Sequence, residues 1–180
     1  VGLGRISYEV ARRARAFEMR LIYSDVVAHP ETERELGITR VDLTELLGEA
    51  DFVTLHVPGG SETRHIIAEG ELALMKATAF VINCSRGGVV DEAALADAVQ
   101  KGTIAGAALD VYEIEPTAND TEFRDPLGKV PHVYGTHHVG ASTEQAQEAV
   151  AEEVVKIVRT YLDTGRAINC VNLSAVMEST

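Results

Sequence analysis

Residues 80–101, FVINCSRGGVVDEAALADAVQK, combine a short apolar segment, a tight polar turn and an amphipathic segment. FVIN predicts a buried strand, SRGG predicts the turn, and the remainder predicts a helix that begins at Asp91 and ends near Lys101. The same order recurs upstream, where FVTLHV (52–57) precedes a helical pattern centred on ELALMK (71–76). Alternating helices and near-continuous apolar strands predict an α/β fold with right-handed crossovers and a doubly wound parallel sheet.

The N-terminal segments extend this alternation. Apolar residues at helical spacing predict a first helix whose arginines face solvent. The apolar stripe of that helix consists of Ile6, Val10, Ala14 and Phe17. RLIY (20–23) predicts a strand that ends at Asp25, and Asp42 predicts the N-cap of a short helix running to about Ala50.

The C-terminal segments continue the pattern. IAGAALDV (104–111) is rich in small residues and predicts a buried strand pressed closely by helices, and HVYGT (132–136) predicts the last strand. Ser142 and Gln145 predict a capping box that opens a long helix to about Leu162.

Composition limits the class of protein. A chain of 180 residues with 46% hydrophobic content is expected to form one domain with a full core. The net charge of −12 argues against binding to nucleic acid or to an anionic membrane, since both require excess Lys and Arg. Cys84 and Cys170 form no C-x-x-C motif, and no apolar run is long enough to span a bilayer, which favours a reduced cytoplasmic protein. The chain opens on Val1 without a Met and enters in the middle of a motif, so we expect a further segment to precede it.

The first residues carry a glycine motif. VGLGRIS matches G-x-G-x-x-G at Gly2 and Gly4, with Ser7 in place of the last glycine. The first two glycines allow a pyrophosphate to approach a helix N-terminus, whereas the last serves helix packing. Asp25 ends the next predicted strand, at about the spacing of an acid that binds an adenosine ribose and repels a 2′-phosphate. The pair favours NAD over NADP, although a tight turn and an Asp turn residue also explain it.

Three polar residues each follow a predicted strand. Arg86, Glu115 and His138 come just past FVIN, IAGAALDV and HVYGT. If these strands are parallel neighbours, a cation, a carboxylate and a base converge on the sheet edge where open α/β sheets bind ligands. This pattern predicts an enzyme, against the alternatives of an ordinary exposed Arg and a structural His.

The histidines do not favour a metal site. His132, His137 and His138 are close in sequence, but strand alternation splits their directions and no flanking Cys or carboxylate completes a ligand spacing. His56 and His65 carry no pattern, and we expect them to be ordinary structural or surface residues.

Successive motifs resemble one known family. They are VGLGRIS, DFVTLHVP, ALMKATAFVINCSRGGVVDEAAL, GAALDVYEIEP and HHVGAST, and together they cover nearly the whole chain. They are similar to the D-isomer-specific 2-hydroxyacid dehydrogenases, whose Rossmann domain is inserted into a separate substrate-binding domain. The resemblance implies an NAD-binding Rossmann domain over residues 1–164, with its first strand clipped. Residues 165–180 would lead back towards an absent substrate-binding domain.

The resemblance also implies catalytic roles. Arg86 matches the arginine that binds the substrate carboxylate and polarises its carbonyl. His138 matches the general acid/base, and His137 stands where the family usually has proline, which removes a fixed φ angle. Glu115 matches the carboxylate that orients His138 and stabilises its protonated form. We expect Glu113, the nearby carboxylate, to be solvated.

Further positions match the cofactor site of the family. Asp110 is expected to accept from the nicotinamide carboxamide, and Cys84 is expected to be a small strand residue and not a nucleophile. The implied cofactor-binding residues are Gly2, Gly4, Arg5, Ile6, Asp25, Val57, Pro58, Cys84, Ser85, Arg86, Asp110, His138, Gly140 and Ala141. The connection through TANDTEFRDPLGK (117–129) is longer than expected of the family and predicts a surface insertion.

The implied reaction is reversible hydride transfer between NAD and a D-2-hydroxy acid. GASTEQAQEAV (140–150) and NCVNL (169–173) are most similar to the branch of the family that oxidises D-3-phosphoglycerate in serine biosynthesis. Alternatives are another 2-hydroxyacid dehydrogenase, acting on glycerate, glyoxylate or lactate, and an NADH-binding regulatory protein of corepressor type. The resemblance further implies a homodimer or homotetramer when full length, and a fragment that is inactive alone.

Overall fold

The computed structural model describes residues 1–116, 127–140 and 142–170. It divides into two compact units, Val1–His138 and Val139–Thr180. In chain order the elements are α1 Arg5–Arg15, β1 Ile22–Tyr23, α2 Pro30–Leu36, β2 Thr39–Arg40, α3 Leu43–Glu49, β3 Phe52–Leu55, α4 Glu69–Leu74, β4 Phe80–Asn83, α5 Glu92–Gln100, β5 Gly106–Leu109, β6 Val133–Gly135 and α6 Glu144–Thr164.

The first unit contains a parallel sheet in the order β3-β4-β5-β6, with flanking helices. Phe80 pairs with Phe52 on one side and with Gly106 on the other, so the three strands run in step. Because sequential strands are neighbours and all run in the same direction, each connection must cross over the sheet. This arrangement is Rossmann-like and confirms the predicted α/β fold.

A second, two-stranded parallel sheet pairs β1 with β2. The N-terminal residues connect it to the larger sheet through the backbone. The amide of Gly2 donates to the carbonyl of Ser24 at 2.8 Å, and the amide of His56 donates to the carbonyl of Val1 at 2.8 Å. Residues 1–2 therefore lie between the carboxyl ends of β1 and β3.

The main core lies between the four-stranded sheet and its helices. Leu47, Leu55, Leu72, Leu95 and Val81 are at most 1% exposed. In that order, they lie on α3, β3, α4, α5 and β4. The buried faces of these elements are therefore packed in one cluster, which fixes the ends of the strands relative to one another.

The first helix differs from the sequence prediction. The predicted stripe is not its buried face, because Ile6 is 73% exposed and Phe17 is 80% exposed. The helix instead buries Ser7 and Ala11. Small side chains at these positions let the helix pack close to the small cluster that contains Leu3 and Tyr23.

Two other details differ from the sequence prediction. The N-cap of α6 is Thr143, whose hydroxyl accepts from the amide of Ala146 at 3.2 Å, and not Ser142. The helix α2 was not predicted, although Pro30 stands at its first turn and Gly37 ends it with a left-handed φ of 62°. The predicted helices beginning after Asp42 and Asp91 are confirmed, and both carboxylates accept from backbone amides.

The helix α6 belongs to the second unit and runs for 21 residues to Thr164, with a left-handed Gly165 at its C-terminal cap. Within the described parts of the chain, no helix combines the length and the apolar content that crossing a membrane requires.

Two leucines of α4 provide a matched test of this core. Leu72 is 1% exposed and Leu74 is 46% exposed. Leu72→Ala should lower the free energy of unfolding by about 2–5 kcal/mol, because it leaves a cavity, whereas Leu74→Ala should change it by less than about 1 kcal/mol. Chemical denaturation followed by circular dichroism measures both. Equal effects of the two substitutions would contradict the described packing of α4.

Candidate functional site

The turn before α1 is built around Gly2. This residue has a left-handed φ of 81°, and a Cβ there would lie 2.7 Å from the carbonyl oxygen of His56. A side chain at this position would therefore be strained both by its conformation and by the adjacent backbone. Glycine is required for the turn to pass this close to the end of β3.

The N-terminus of α1 is open towards solvent. Gly4 is the N-cap, no side chain caps the helix, and a Cβ at Gly4 would meet no atom within 4 Å. Arg5 and Ile6 are exposed in its first turn. Ser7 is 6% exposed and donates to the carbonyl of Gly4 at 3.0 Å, so a small residue fills the packing position of the usual third glycine. Unshielded amides at a helix N-terminus fit the pyrophosphate of a dinucleotide.

Asp25 lies beside this turn, two residues after β1. One carboxylate oxygen accepts from the amide of Leu3 at 2.7 Å and the other accepts from the amide of Val27 at 3.0 Å. Partial burial alone would raise the pKa of Asp25, but these two backbone hydrogen bonds, together with the nearby His29, hold the pKa below its usual value. An ionised carboxylate therefore stands next to the glycine turn, where it also organises the turn itself.

The side chains of His138 and Glu115 are paired. Imidazole Nδ1 lies 2.9 Å from Oε2 of Glu115, and Oε1 accepts from the amide of Tyr112 at 3.2 Å. Burial alone would raise the pKa of Glu115, but the hydrogen bonds from His138 and Tyr112 lower it overall. His138 has a left-handed φ of 59°, a conformation that non-glycine residues adopt mainly where the surroundings impose it.

Arg86 lies in the turn that follows β4. The buried side chain of Asn83 supports this turn: its amide nitrogen donates to the carbonyl of Arg86 at 3.0 Å, and its oxygen accepts from Ser85. The guanidinium donates to the carbonyl of Ser85 at 2.7 Å and forms no ion pair with any residue that the structure describes. Its positive charge is therefore available to an anionic ligand.

The three predicted residues follow three adjacent strands. Arg86 comes after β4, Glu115 after β5 and His138 after β6, and these strands are parallel neighbours. The structure therefore brings all three to the carboxyl edge of one sheet, as the sequence predicted, with a direct contact between Glu115 and His138.

A second carboxylate at this edge, Asp110, is held in place. It is 7% exposed, it accepts from the hydroxyl of Thr136 at 2.6 Å, and its amide donates to the carbonyl of Asn83 at 2.9 Å. Cys84 directly follows β4 and is exposed, so it is not the strand residue that the sequence predicted. Partial desolvation, and secondarily Asp110, raises the pKa of its thiol.

Thr136 and Asn83 are two polar residues of this edge that the sequence reasoning missed. Asn83 is 1% exposed and ends an otherwise apolar strand, and Thr136 directly follows the last one. A polar residue at the end of an apolar segment of the sequence was the available signal for both positions.

The remaining predicted residues divide by location. Val57 and Pro58 follow β3, and Cys84 and Ser85 follow β4, all at the carboxyl edge. Gly140 lies in the second unit, and Ala141 lies outside the described residues, as does most of the predicted insertion. Among the residues the structure describes, no three His, Cys, Asp or Glu side chains are grouped to hold a metal.

Comparison with known proteins identifies the family. A family profile described as D-isomer specific 2-hydroxyacid dehydrogenase, NAD binding domain, matches residues 1–140. This chain belongs to that family, and the open glycine turn with the adjacent Asp25 fits NAD, the cofactor of the family.

The individual relatives fall into two groups by name, D-3-phosphoglycerate dehydrogenase and glyoxylate reductase. The chain is 46% identical over 178 residues to a D-3-phosphoglycerate dehydrogenase of Methanocaldococcus jannaschii, covering 96% of this chain and 32% of the relative. It is 44% identical to a glyoxylate reductase of Thermococcus litoralis, covering 99% of this chain and 53% of the relative. The chain therefore spans between a third and about half of the length of these relatives.

Solved structures agree with this assignment. A glyoxylate reductase from Paecilomyes thermophila matches with a TM-score of 0.82 and 37% identity, over 94% of this chain and 50% of that one. The NAD-complexed D-isomer specific 2-hydroxyacid dehydrogenase of Lactobacillus delbrueckii ssp. bulgaricus matches with a TM-score of 0.84 and 35% identity, over 95% and 54% respectively.

Replacement of Asp25 tests the cofactor site. In full-length protein, Asp25→Ala should weaken NADH binding by roughly tenfold or more, because a hydrogen bond to a charged group is lost. It should weaken NADPH binding much less, because a repulsive charge is removed as well. Calorimetric titration with both nucleotides measures the ratio of affinities. Since damage to the turn alone would weaken both equally, an unchanged ratio would contradict a ribose-binding role.

Proposed function

We propose that this chain is the cofactor domain of an NAD-dependent oxidoreductase that transfers a hydride between NAD and a D-2-hydroxy acid. The observation that carries the proposal is the 2.9 Å contact between Nδ1 of His138 and Oε2 of Glu115. A carboxylate that holds an imidazole at the carboxyl edge of a parallel sheet is the arrangement that a general acid/base requires. The whole protein's activity follows from this proposal together with family membership.

His138 exchanges the proton in the proposed reaction. Because Nδ1 faces Glu115, the other ring nitrogen, Nε2, takes the hydroxyl proton during oxidation and returns it during reduction. Glu115 acts through this contact, since its negative charge stabilises the protonated imidazole. The bound cofactor would supply the hydride chemistry, with NAD as the hydride acceptor and NADH as the hydride donor.

Arg86 binds the substrate carboxylate in this proposal. A planar guanidinium binds a carboxylate in bidentate fashion, and it stabilises negative charge on the carbonyl oxygen. The turn that carries it is anchored by the buried Asn83, which limits movement of the Arg86 backbone. The end of β4 therefore sets the position of Arg86, and its guanidinium supplies the positive charge.

The cofactor roles are proposed on the same basis. Gly2 and Gly4 let the pyrophosphate approach α1, where Arg5 and Ile6 meet it, and Asp25 accepts from the adenosine ribose. Val57 and Pro58 would line the adenosine side, and Cys84 and Ser85 would lie under the nicotinamide ribose. Gly140 and Ala141 remain cofactor-binding predictions from the family resemblance. The proximity of Asp110 to Thr136 supports a fixed acceptor for the nicotinamide carboxamide.

We propose D-3-phosphoglycerate and 3-phosphohydroxypyruvate as the substrate pair, in serine biosynthesis. Similarity to D-3-phosphoglycerate dehydrogenases supports this choice, and comparable similarity to glyoxylate reductases makes glyoxylate the principal competitor. We further propose that residues 1–164 form the NAD-binding domain, that residues 165–180 lead to the substrate-binding domain, and that the full-length protein is a cytoplasmic homodimer or homotetramer.

A substrate panel tests the reaction and its specificity. Full-length protein is assayed for NADH oxidation with 3-phosphohydroxypyruvate, glyoxylate, hydroxypyruvate and pyruvate. We expect the highest kcat/KM with 3-phosphohydroxypyruvate. A preference for glyoxylate would overturn the substrate choice alone, whereas NADH binding without turnover of any 2-keto acid would overturn the enzymatic proposal and favour a regulatory protein.

Variants of the paired residues test the roles of His138 and Glu115. His138→Ala should lower kcat by about 10²–10⁴-fold, the usual contribution of a general acid/base, and retained activity would contradict its role. Glu115→Gln should lower kcat by less, because the imidazole keeps a hydrogen-bond partner at Nδ1 but loses the negative charge beside it. A kcat for Glu115→Gln equal to that of the unsubstituted protein would contradict a role for the carboxylate.

A further inference from the structure

Glu113 contacts two basic side chains from a distant part of the chain. Its carboxylate lies 2.5 Å from a guanidinium nitrogen of Arg64 and 3.3 Å from Nε2 of His65. The other ring nitrogen of His65 lies 3.7 Å from Asp91. Glu113 is an exposed residue, as the sequence predicted, but its carboxylate is ion-paired and its side chain is 29% exposed.

The backbone of Glu113 is held as well. Its amide donates to Oε1 of Glu92 at 2.5 Å, and Glu92 is 8% exposed at the beginning of α5. We define the Glu113 cluster as the side chains of Arg64, His65, Asp91, Glu92 and Glu113. Burying Glu92 is favourable only if it is hydrogen-bonded, so this contact fixes the backbone of Glu113 relative to α5.

The cluster joins three segments of the chain that follow successive strands. Arg64 and His65 precede a segment that pairs alongside residues 88–91. The amide of His65 donates to the carbonyl of Gly88 at 2.8 Å, and the amide of Asp91 donates to the carbonyl of Ile67 at 2.9 Å. His65 adopts a left-handed φ of 51°, which its surroundings must stabilise.

The turn that carries Arg86 touches the segment that carries Glu113 and Glu115. A Cβ at Gly87 would overlap the carbonyl oxygen of Tyr112, so the two backbones are in direct contact there. The amide of Tyr112 donates in turn to Glu115, which contacts His138. The contact between Gly87 and Tyr112, together with the segment from Tyr112 to Glu115, therefore connects the turn of Arg86 to the carboxylate that contacts His138.

Of the five residues in the Glu113 cluster, only Glu113 lies in the segment from Tyr112 to Glu115. Its ion pairs attach it to the segment after β3, and its amide attaches it to α5. Hydrogen bonding from Arg64, and secondarily from His65, keeps the pKa of Glu113 below its usual value despite partial burial. At neutral pH the carboxylate is therefore ionised, and it contacts both Arg64 and His65.

We propose that Glu113 is a positioning residue, which holds the Arg86 turn against the Glu115 segment through its contacts with Arg64, His65 and Glu92. It touches neither substrate nor cofactor. Loss of its side chain removes the contacts with Arg64 and His65 and leaves only the amide contact with Glu92. The weaker attachment allows the two segments to shift at Gly87, which misplaces both Arg86 and Glu115. The kinetic part of this proposal rests on the proposed dehydrogenase function, whereas the structural part does not.

Hydrogen–deuterium exchange of the full-length protein tests the structural part. Glu113→Ala should accelerate exchange of the amides in residues 84–90 and 112–116 by roughly tenfold, while residues 52–55 of β3 remain unchanged. Glu49→Ala is the matched control, because it removes an ion pair of the same type, with Arg20, outside these segments. Unchanged exchange in residues 84–90 and 112–116 would overturn the proposal, whether or not the protein turns over a 2-keto acid.

Steady-state kinetics test the functional part. Glu113→Ala should raise KM for the 2-keto acid and lower kcat, together by roughly tenfold or more in kcat/KM, because small displacements of positioned groups are costly. Glu113→Gln should recover part of the loss because an amide oxygen still accepts from Arg64. Equal loss in Glu49→Ala, or a change confined to the KM for NADH, would overturn the proposal.

A second variant covers the case in which Glu113→Ala does not fold. Arg64→Gln breaks the shortest ion pair of the cluster from the other side and leaves every residue of the reaction in place. It should accelerate exchange in the same two segments and raise the same KM. If it folds and changes neither, the proposal is wrong.

Discussion

The parallel register of β4, β5 and β6 is the constraint on which the candidate site depends. Their hydrogen bonds align the carboxyl ends of three consecutive strands, so the residues that follow each strand reach the same edge. Arg86, Glu115 and His138 are far apart in the sequence, and only the sheet brings them to a common edge. Each lies on a loop, and the rigid sheet beneath positions these loops more accurately than the loops could position themselves.

Buried polar groups convert this alignment into a defined site. Asn83 binds both sides of the Arg86 turn, Asp110 accepts from Thr136, and Glu92 accepts from Glu113. All three are at most 8% exposed, and each contact joins different loops or fixes a turn. A buried polar group that loses its partner costs about 1–3 kcal/mol, so these contacts strongly favour one arrangement of the loops. The loops that carry the reactive groups are thereby preorganised.

The sequence predicted what depends on local pattern. Apolar runs followed by turns located β3, β4, β5 and β6, and the carboxylates of Asp42 and Asp91 located two helix starts. It failed where tertiary packing decides. The buried face of α1 uses Ser7 and Ala11 because small residues suit a close contact, which hydrophobic periodicity does not record. The pairing of Glu113 with Arg64 spans 49 residues and had no local signal.

The central claim is that Glu115 acts through His138, and a double-mutant cycle tests it most directly. kcat is measured for full-length protein and for the Glu115→Gln, His138→Ala and doubly substituted variants. If Glu115 works only by orienting the imidazole and stabilising its charge, the double variant will be no slower than His138→Ala alone. Losses that multiply in the double variant would contradict the account, because they would require Glu115 to act on the reaction independently of His138.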